Sequence, residues 1–412
     1  MIKRFIIIVA LLTTVLAAAQ EGTSSPYSFY GIGLTKFKGT VENQSMGGLR
    51  LFSDSIHLNL RNPAGYGRLK LTTYAVAGSH QSTNIKNDNN SESSRTTSLD
   101  YLAIGIPTGK LNFGFGLIPF NSVGYKILNV NEDTANRFTG RGGMNKVYLS
   151  SGYAVTDNLS LGVNLDYNFG NIQRNFTAFQ NGVQYGTRQI DRTDLSGFNL
   201  NFGLDYQREL TNNLNFYTAA TYSPKTEIKA KRIRNTATIL LGNNGSEVVT
   251  SENNTTFSDS NLTLPAQFTF GAGLGASNKW FLGAEYSNIQ SEKFDAVTPN
   301  HEVSYQNASQ YRFGGYFVPQ YNSITNYFNR ITYRAGIRYE ETGLQVNNEA
   351  INEFGIAFGV GLPAGNNFSN ANIGIEYGQR GTTNLGLIKE NFLKLSISLS
   401  LNDKWFVQRK FD

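Results

Sequence analysis

The sequence predicts an all-β protein, a 14-stranded antiparallel transmembrane β-barrel with an N-terminal hatch that plugs its lumen. Three observations lead to this prediction. Apolar and polar residues alternate over many segments, the connections alternate between tight turns and long loops, and the chain begins with a stretch typical of exported proteins. Alternation with period two is expected of strands that have two different faces. Besides helices, closed barrels are the only structures that satisfy their backbone hydrogen bonds inside a bilayer.

The composition excludes several classes of protein. The 412 residues contain 42 glycines, 9 prolines and no cysteine, and 16% of them are charged, well below the roughly 25% of soluble domains. The absence of cysteine excludes thiolate chemistry. The net charge of +6 includes Lys3 and Arg4 of the predicted leader. The excess in the exported protein is therefore too small to indicate nucleic acid as a partner.

Residues 1–19 are predicted to be a cleaved signal peptide, so the protein is expected in the outer membrane of a Gram-negative bacterium. The stretch has two basic residues, an apolar region over 5–16 and three alanines at 17–19, which is the order of regions in a secretory leader. The alternative is a membrane anchor. The apolar region is shorter than the roughly 20 residues of a spanning helix, which favours the leader.

The clearest alternating segment begins at Leu159. Apolar residues occupy every second position from Leu159 to Phe169, and small or polar residues such as Asn164 and Asp166 lie between them. Many of the segments are longer than the roughly 9 to 11 residues that cross a bilayer as a tilted strand. Counting all of them predicts fourteen strands, over residues 69–82, 98–107, 111–127, 146–156, 159–175, 196–210, 213–230, 261–277, 279–290, 304–319, 331–343, 351–363, 370–380 and 392–405.

The connections are predicted to be short at one end of the barrel and long at the other. Tight turns are expected at 107–110, 156–158, 210–213 and 276–279. Long polar loops are expected at 84–97, 129–145, 176–195, 231–260 and 290–303. This asymmetry is typical of outer-membrane barrels, whose short turns are periplasmic. Residues 319–330 are an exception, a long connection at the short end. The alternative, a secreted β-sandwich, explains the leader but not the strand lengths or this asymmetry.

Residues 20–68 do not alternate, and residues 69–412 are assigned to the barrel. A barrel of about fourteen strands is wider than the eight-stranded barrels whose own side chains fill the interior. We therefore expect residues 20–68 to form the hatch. This segment carries three glycine-containing motifs, Tyr27-Ser28-Phe29-Tyr30-Gly31-Ile32-Gly33, Ser45-Met46-Gly47-Gly48 and Leu60-Arg61-Asn62-Pro63-Ala64-Gly65.

The order and spacing of these motifs resemble the FadL family of outer-membrane transporters for hydrophobic compounds. The resemblance covers essentially the whole exported chain and includes three later motifs, which are Leu264-Pro265-Ala266-Gln267-Phe268-Thr269-Phe270-Gly271, Arg334-Ala335-Gly336 and the glycine-rich strand 355–361 before Leu362-Pro363. It implies a hatch folded into a fourteen-stranded barrel. It further implies that a ligand enters from outside, occupies a hydrophobic pocket and leaves sideways through a gap at a kink in the third strand.

The predicted site residues follow from this resemblance. Pro119 interrupts the third strand, because proline cannot donate to a strand ladder, and Pro119 with Asn121 is the predicted lateral gate. The alternative is that Pro119 only ends the membrane-embedded part of the strand. Asn62, Pro63 and Ala64 are predicted to form the turn from hatch to barrel. The candidates for ligand contact, each of which could instead be ordinary packing, are Phe29, Tyr30, Phe37, Phe52, Tyr66 and Phe120.

The inward face is predicted to be polar and partly charged. Glu285, Arg334, Arg338, Glu340 and Glu376 fall on it, and charges in such a wall are expected to pair with one another or with the hatch.

Two functions remain open. The first is passive uptake of hydrophobic small molecules, fatty-acid-like or aromatic, with outer-membrane lipid and lipopolysaccharide as surroundings. The second is a non-transporting accessory barrel of an outer-membrane machine, for type IX secretion or β-barrel assembly, with other outer-membrane proteins or lipoproteins as partners. No enzyme activity, cofactor or metal site is predicted, because His57, His80 and His301 are dispersed along the chain and nothing shows metal-ligand spacing.

Overall fold

The structure is a computed structural model that describes residues 22–88, 90–211, 213–242, 246–291, 303–364 and 369–404. The predicted signal peptide, the loop that contains His301 and the last eight residues lie outside these ranges. In the part that is described, no helix has the length and apolarity needed to cross a bilayer.

The described residues form a closed antiparallel barrel with fourteen wall strands, which confirms the predicted fold class. The first wall strand pairs with the last, Thr72 opposite Asp403 and Lys86 opposite Lys389. Before the wall, the chain forms a 3₁₀ turn (Pro26–Phe29), the short strand β1 (Leu34–Thr35), the helix α1 (Val41–Ser45) and a second 3₁₀ helix (Pro63–Arg68). Four of the wall strands are interrupted and consist of two or three segments, which are joined by "with" in the following list. The wall strands are β2 (Thr72–Lys86), β3 (Ser91–Ile106), β4 (Leu111–Pro119) with β5 (Asn121–Val130), β6 (Thr134–Ala154), β7 (Leu159–Gln180), β8 (Tyr185–Thr211), β9 (Leu214–Ser223) with β10 (Thr226–Leu241), β11 (Glu247–Thr256) with β12 (Ser260–Leu264) and β13 (Gln267–Ala276), β14 (Trp280–Ile289), β15 (Val303–Tyr305) with β16 (Ala308–Phe317), β17 (Thr332–Val346), β18 (Glu349–Ala364), β19 (Ser369–Gly381) and β20 (Lys389–Asp403).

The two faces of the wall are those that the alternation predicts. On β7, Leu161 and Leu165 are exposed on the outer face, whereas Asn164 and Asp166 are buried on the inner face. Exposed apolar residues alternate in the same way along other wall strands, as from Phe198 to Phe202 on β8 and from Leu393 to Leu401 on β20. Such a continuous apolar band is the surface that a barrel presents to the hydrocarbon of a bilayer.

Four of the predicted long loops are wrong in extent, because the strands continue through them. β6 begins at Thr134, β7 ends at Gln180 and β8 begins at Tyr185, so the connections at their tips are tight. We call this extension of the barrel the crown (residues 121–141, 171–195 and 226–262). The exposed residues of the crown are mixed, with polar residues and scattered apolar ones such as Leu128 and Val183, and for that reason alternation does not predict these strands.

The crown folds over one mouth of the barrel. Glu247 on β11 forms ion pairs with Arg137 on β6 and with Arg188 on β8, the latter at 3.5 Å. Three strands separate β6 from β11 in the sheet. A contact between them therefore spans the inside of the curved crown.

The N-terminal segment (residues 22–71) lies against the inner face of the wall. It contacts the backbone of the wall at two places, which we call the seats, and the first seat is a row of glycines across three strands. Gly152, Gly162 and Gly203 pair in register on β6, β7 and β8. A Cβ atom on Gly152 would lie 2.8 Å from the carbonyl oxygen of Pro63, and one on Gly162 would overlap the backbone of Ala64. The motif at 62–65 therefore rests directly on the backbone of the wall.

The second seat holds the motif at 45–48. Gly283, Gly314 and Gly336 pair in register on β14, β16 and β17. A Cβ atom on Gly314 would lie 2.7 Å from the carbonyl carbon of Met46, and one on Gly336 would overlap the backbone of Gly47. Both motifs are therefore places where backbone meets backbone.

We expect Gly336→Val to loosen the N-terminal segment, because the added side chain occupies the position of the Met46–Gly47 peptide. Overpacking of this kind costs about 1–3 kcal/mol. The measurement is the thermal unfolding of the purified barrel, with limited proteolysis of the segment alongside. Gly78 is the matched control, since its nearest neighbour to an added Cβ is at 3.4 Å. Equal stability of Gly336→Val and Gly78→Val would contradict the role of the seat.

Candidate functional site: the interrupted third strand and the lumen

The third wall strand is interrupted at Phe120, between β4 and β5. Pro119 is the last residue of β4 to pair with β6, and the Phe120 N–H donates to the carbonyl of Met144 at 2.8 Å. The side chain of Asn121 accepts a hydrogen bond from the Met144 N–H (2.6 Å) and donates one to the carbonyl of Ile32 (2.7 Å). Asn121 thus joins the interruption to β6 on one side and to the N-terminal segment on the other.

Strand β6 bends where it faces this interruption. Gly142 and Gly143 have φ values of +106° and +151°, which glycine alone adopts without strain. A Cβ atom on Gly143 would lie 3.0 Å from the Cα of Ser122. The glycines at 142 and 143 therefore allow β6 to follow the bend of its neighbour.

The interruption leaves β3 and β5 without a shared ladder. β3 pairs with β4 only from Leu102 to Ile106, opposite 113–117. Beyond this point, the described residues of β5 pair with β6 and with the N-terminal β1, but not with β3. Leu34 and Thr35 of β1 lie opposite Ser122 and Asn121, and the Lys36 N–H donates to the Phe120 carbonyl at 3.0 Å. We call residues 34–36 the strap, because they occupy the edge that β3 leaves unpaired.

A cavity of about 240 Å³ lies inside the crown, next to the N-terminal segment. Its apolar lining comes from one residue of that segment and four inward residues of the crown. It is lined by Ile32, Ile172, Leu195, Ala230 and Leu262, with Arg174, Thr193, Arg232, Ser260 and Asn261 as the polar residues. The apolar residues belong to a larger buried cluster that includes Val123 and Met144 and packs against Phe29 and Phe120. These packed apolar side chains, which we call the apolar path, therefore extend from the cavity to the interruption in the third strand.

The two arginines of the cavity differ in their partners. Arg232 pairs with Asp191 at 3.0 Å, and Asp191 also pairs with Arg234 at 2.7 Å. Partial burial raises the pKa of Asp191, but hydrogen bonds from these two guanidinium groups outweigh it and hold that pKa below its ordinary value. Arg174 donates to the carbonyl of Gly31, and its Nε is buried without a partner.

Two of the six predicted ligand-contact residues adjoin this apolar path. The ring of Phe29 packs edge-on against Tyr125 and Phe138, with centroids 5.2 and 6.1 Å away. Phe120 faces the ammonium group of Lys38, which lies 3.6 Å from the ring centroid. The residues of the cavity wall were missed, because Leu195 was assigned to the end of a loop and because Ile172 and Ala230 sit where alternation ends.

The other four residues lie apart from the cavity. Phe52 belongs to a separate aromatic cluster, 5.1 Å from Phe281. Tyr66 is fully buried, and its hydroxyl hydrogen-bonds that of Tyr148 at 3.0 Å. Phe37 stacks on the Arg61 guanidinium and Tyr30 joins the cluster around Tyr27. Their contacts in the structure are packing contacts.

The predicted turn residues begin a helix. Asn62 caps the 3₁₀ helix Pro63–Arg68, and its side chain accepts from the Ala64 N–H at 3.1 Å. Its amide also donates to the carbonyl of Leu204 on β8 at 3.1 Å. The wall itself starts at Thr72. Residues 62–64 therefore fix the N-terminal segment to the wall several residues before the first wall strand.

The opposite side of the lumen carries a network of buried ion pairs, as predicted for the inward charges. Arg312 pairs with Glu285 (3.4 Å) and Glu340 (3.0 Å). Arg338 pairs with Glu376 (2.7 Å) and with Glu353. Arg380 then joins Glu353 to Glu390.

This network also holds the N-terminal segment. The Arg50 N–H donates to Glu285 at 2.7 Å, and the Gln44 side chain donates to Glu376 at 2.6 Å. The hydroxyl of Ser25 donates to Glu390. Carboxylates of the wall thus satisfy polar groups of the segment as well as the arginines.

Within the described ranges, no group of three or more His, Asp or Glu residues could hold a metal ion. His57 pairs with Asp54 at 2.6 Å inside the N-terminal segment, and His80 contacts Thr97 on the wall.

We expect Arg338→Met to destabilise the barrel by about 3–5 kcal/mol, the cost of removing one partner from a buried ion pair. The variant leaves Glu353 and Glu376 without their shared guanidinium group. Arg192→Met is the matched control, since the Arg192–Asp194 pair is exposed and such pairs contribute about 0–1 kcal/mol. Denaturant unfolding of the two variants measures the difference, and similar losses would contradict a buried network.

The comparisons with known proteins agree with this architecture. The family described as BamG matches residues 1–412. The toluene transporter TodX of P. putida has a similar structure, with a TM-score of 0.61 at 14% identity, covering 90% of this chain and 100% of that one. A FadL homologue of Pseudomonas aeruginosa gives a TM-score of 0.59 at 12% identity, covering 90% and 99%. No curated protein matches the chain. The FadL resemblance therefore holds for the fold, and the matching family is BamG.

Proposed function

We propose, from its fold as a barrel with an interrupted wall, that this chain, which belongs to the BamG family, is an outer-membrane channel for small hydrophobic molecules. The observation that supports this best is the apolar cluster that runs from the cavity in the crown to the break at Phe120. In this proposal a molecule enters through the crown, occupies the cavity and leaves sideways between β3 and β5.

The chemistry of the path favours apolar cargo. The cluster that extends from the cavity to Phe120 is aliphatic and aromatic, and transfer of apolar surface from water to such walls is favourable. Polar residues, among them Arg174 and Arg232, line the rest of the cavity. The cavity of about 240 Å³ is smaller than the roughly 300–1,000 Å³ of pockets for drug-sized ligands. A single aromatic ring or a short alkyl chain is the cargo that fits. The similar barrel from P. putida is itself described as a toluene transporter.

In this proposal the N-terminal segment acts as a hatch that is fixed at its two seats, and only the strap moves aside to let a molecule pass between β3 and β5. The two seats place backbone on backbone, and the wall carboxylates bind the segment through Arg50 and Gln44. Displacing the whole segment would remove these hydrogen bonds from buried carboxylates, which is costly. The route therefore runs beside the hatch, with Phe29 and Phe120 as contacts and Pro119 and Asn121 as the gate.

We expect a disulfide between the strap and β5 to block release. Leu34 and Ser122 are partners in register, and facing residues on antiparallel strands lie about 4.5–5.5 Å apart, a separation that a disulfide spans. Uptake of labelled toluene by cells with Leu34→Cys/Ser122→Cys should fall to the level of cells without the protein, and a reductant should restore it.

The matched control is a disulfide elsewhere in the wall. Ala272 and Ala284 are partners on β13 and β14, far from the third strand in the sheet. Ala272→Cys/Ala284→Cys should leave uptake unchanged in either redox state. Unchanged uptake with the strap locked would refute the lateral route.

A second function, that of an accessory barrel in a β-barrel assembly machine, is favoured by the family description BamG. The crown would then be the binding surface. Apolar side chains at its tips are exposed, among them Leu128, Val130, Val248 and Val249, and exposed apolar surface beyond the membrane band often marks a protein contact.

We expect the two functions to separate in a mild-detergent pull-down of the chromosomally tagged protein. An assembly subunit should retain another outer-membrane protein or lipoprotein at a fixed ratio, and Val248→Asp/Val249→Asp should release it, because a charge at a buried interface is unpaired. The channel should be isolated without such a partner. Mass spectrometry of the eluates gives the ratio, and a partner unaffected by the crown variant would exclude the crown as its site.

A further inference from the structure

The outer wall carries an apolar groove of about 790 Å³ across β14 to β19. Its floor is formed by Gly315 and Ala335, which are partners in register on β16 and β17. Large exposed side chains, among them Phe313, Phe317 and Phe358, stand on either side of it. The outer band elsewhere consists mainly of Leu, Phe, Ile and Tyr, so the two small residues create the groove.

A long connection covers one end of this groove. Residues 318–331 join β16 to β17 where the other described connections at this end are tight turns. The hydroxyl of Tyr327 donates to the carbonyl of Pro363 at the end of β18 (3.0 Å), and that of Tyr333, which lines the groove, donates to the carbonyl of Phe328 (3.4 Å). The connection therefore lies over the ends of β17 and β18. Ile324 and Phe328 are 96% and 69% exposed.

Arg330 places a positive charge at that end. Its guanidinium group lies over the Tyr327 ring, 5.3 Å from the centroid. Its Nε is buried without a hydrogen-bond partner, and no ion pair among the described residues involves it. Arg330 therefore has no anionic partner among the described residues, and it lies three residues before Tyr333, which lines the groove. A positive charge at the end of an apolar groove is matched to a ligand with an anionic head and an apolar tail.

We propose that this groove binds one phospholipid of the periplasmic leaflet, with an acyl chain along Gly315 and Ala335 and its phosphate at Arg330. The phosphate distinguishes this ligand from the acyl anchor of a lipoprotein, which carries none, and phosphate is a preferred partner of arginine. The lipopolysaccharide phosphates lie in the other leaflet. The inference rests on the membrane placement proposed above, in which the tight turns are periplasmic.

The experiment is native mass spectrometry of the tagged barrel, purified from outer membranes and washed extensively in detergent. We expect one phospholipid per wild-type barrel. Ala335→Leu should abolish its retention by filling the groove, and Arg330→Gln should weaken retention by about tenfold, since the charge-assisted hydrogen bond is lost. Ala335 is preferred over Gly315 because a side chain at Gly315 would collide with the backbone of Phe281.

Two controls use the same substitutions outside the groove. Ala272→Leu changes an outward alanine of β13, and Arg208→Gln changes an exposed arginine near the same end of β8. Both should retain the lipid as the wild type does. Equal retention in all five proteins, or none in the wild type, would overturn the proposal, as would an acylated protein or a second copy in place of the phospholipid. A heat-modifiable band on an unboiled gel tests membrane-barrel folding separately, so a failure of the membrane placement is distinguishable from a failure of the lipid site.

Discussion

The width of a fourteen-stranded barrel is the constraint on which the rest of this structure depends. Wall side chains alone do not fill such a lumen, so another part of the chain has to enter it and contact the wall. The glycine runs on β6 to β8 and β14 to β17 remove side chains where the N-terminal backbone lies. Backbone groups buried in this way need partners, and Asn62 and Glu285 supply some of them. Wall and segment are therefore complementary in both shape and hydrogen bonding.

Most of the ion pairs buried in the described part of the lumen lie between β14 and β20, and their position has an electrostatic reason. A buried charge is tolerated when it is paired and hydrogen-bonded. Arg312, Arg338 and Arg380 each meet two or more carboxylates, because all of them project from neighbouring strands between β14 and β20. On the inner face of the crown, aliphatic residues such as Ile172 and Leu195 lie beside fewer charges, among them Arg174 and Arg232.

The sequence predicts the strands of the wall, but it does not predict the crown or the contacts of the N-terminal segment inside the barrel. Outward residues such as Leu161 and Leu165 must be apolar to face lipid, so alternation located all fourteen strands. In the crown both faces are partly polar, so the alternation predicts loops at 176–195 and 231–260, where the strands in fact continue. The sequence does not predict the glycine seats, because nothing in it distinguishes Gly162 and Gly336 from other small inward residues. Only the fold shows that the N-terminal backbone lies against them. Of the candidate contacts, Phe29 and Phe120 reach the apolar path, and the others depend on neighbours far away in sequence, such as Tyr148 for Tyr66.

The interruption at Phe120 is itself informative about function. A strand that leaves its neighbour exposes backbone groups whose burial would be costly, yet here they are met by Asn121, by β1 and by the Lys36 N–H. Several residues distant in sequence are therefore devoted to keeping β3 and β5 apart. An unpaired stretch of the wall beside an apolar cluster that reaches the cavity favours passage of a molecule over a purely structural role. The crown surface remains free to bind a partner at the same time.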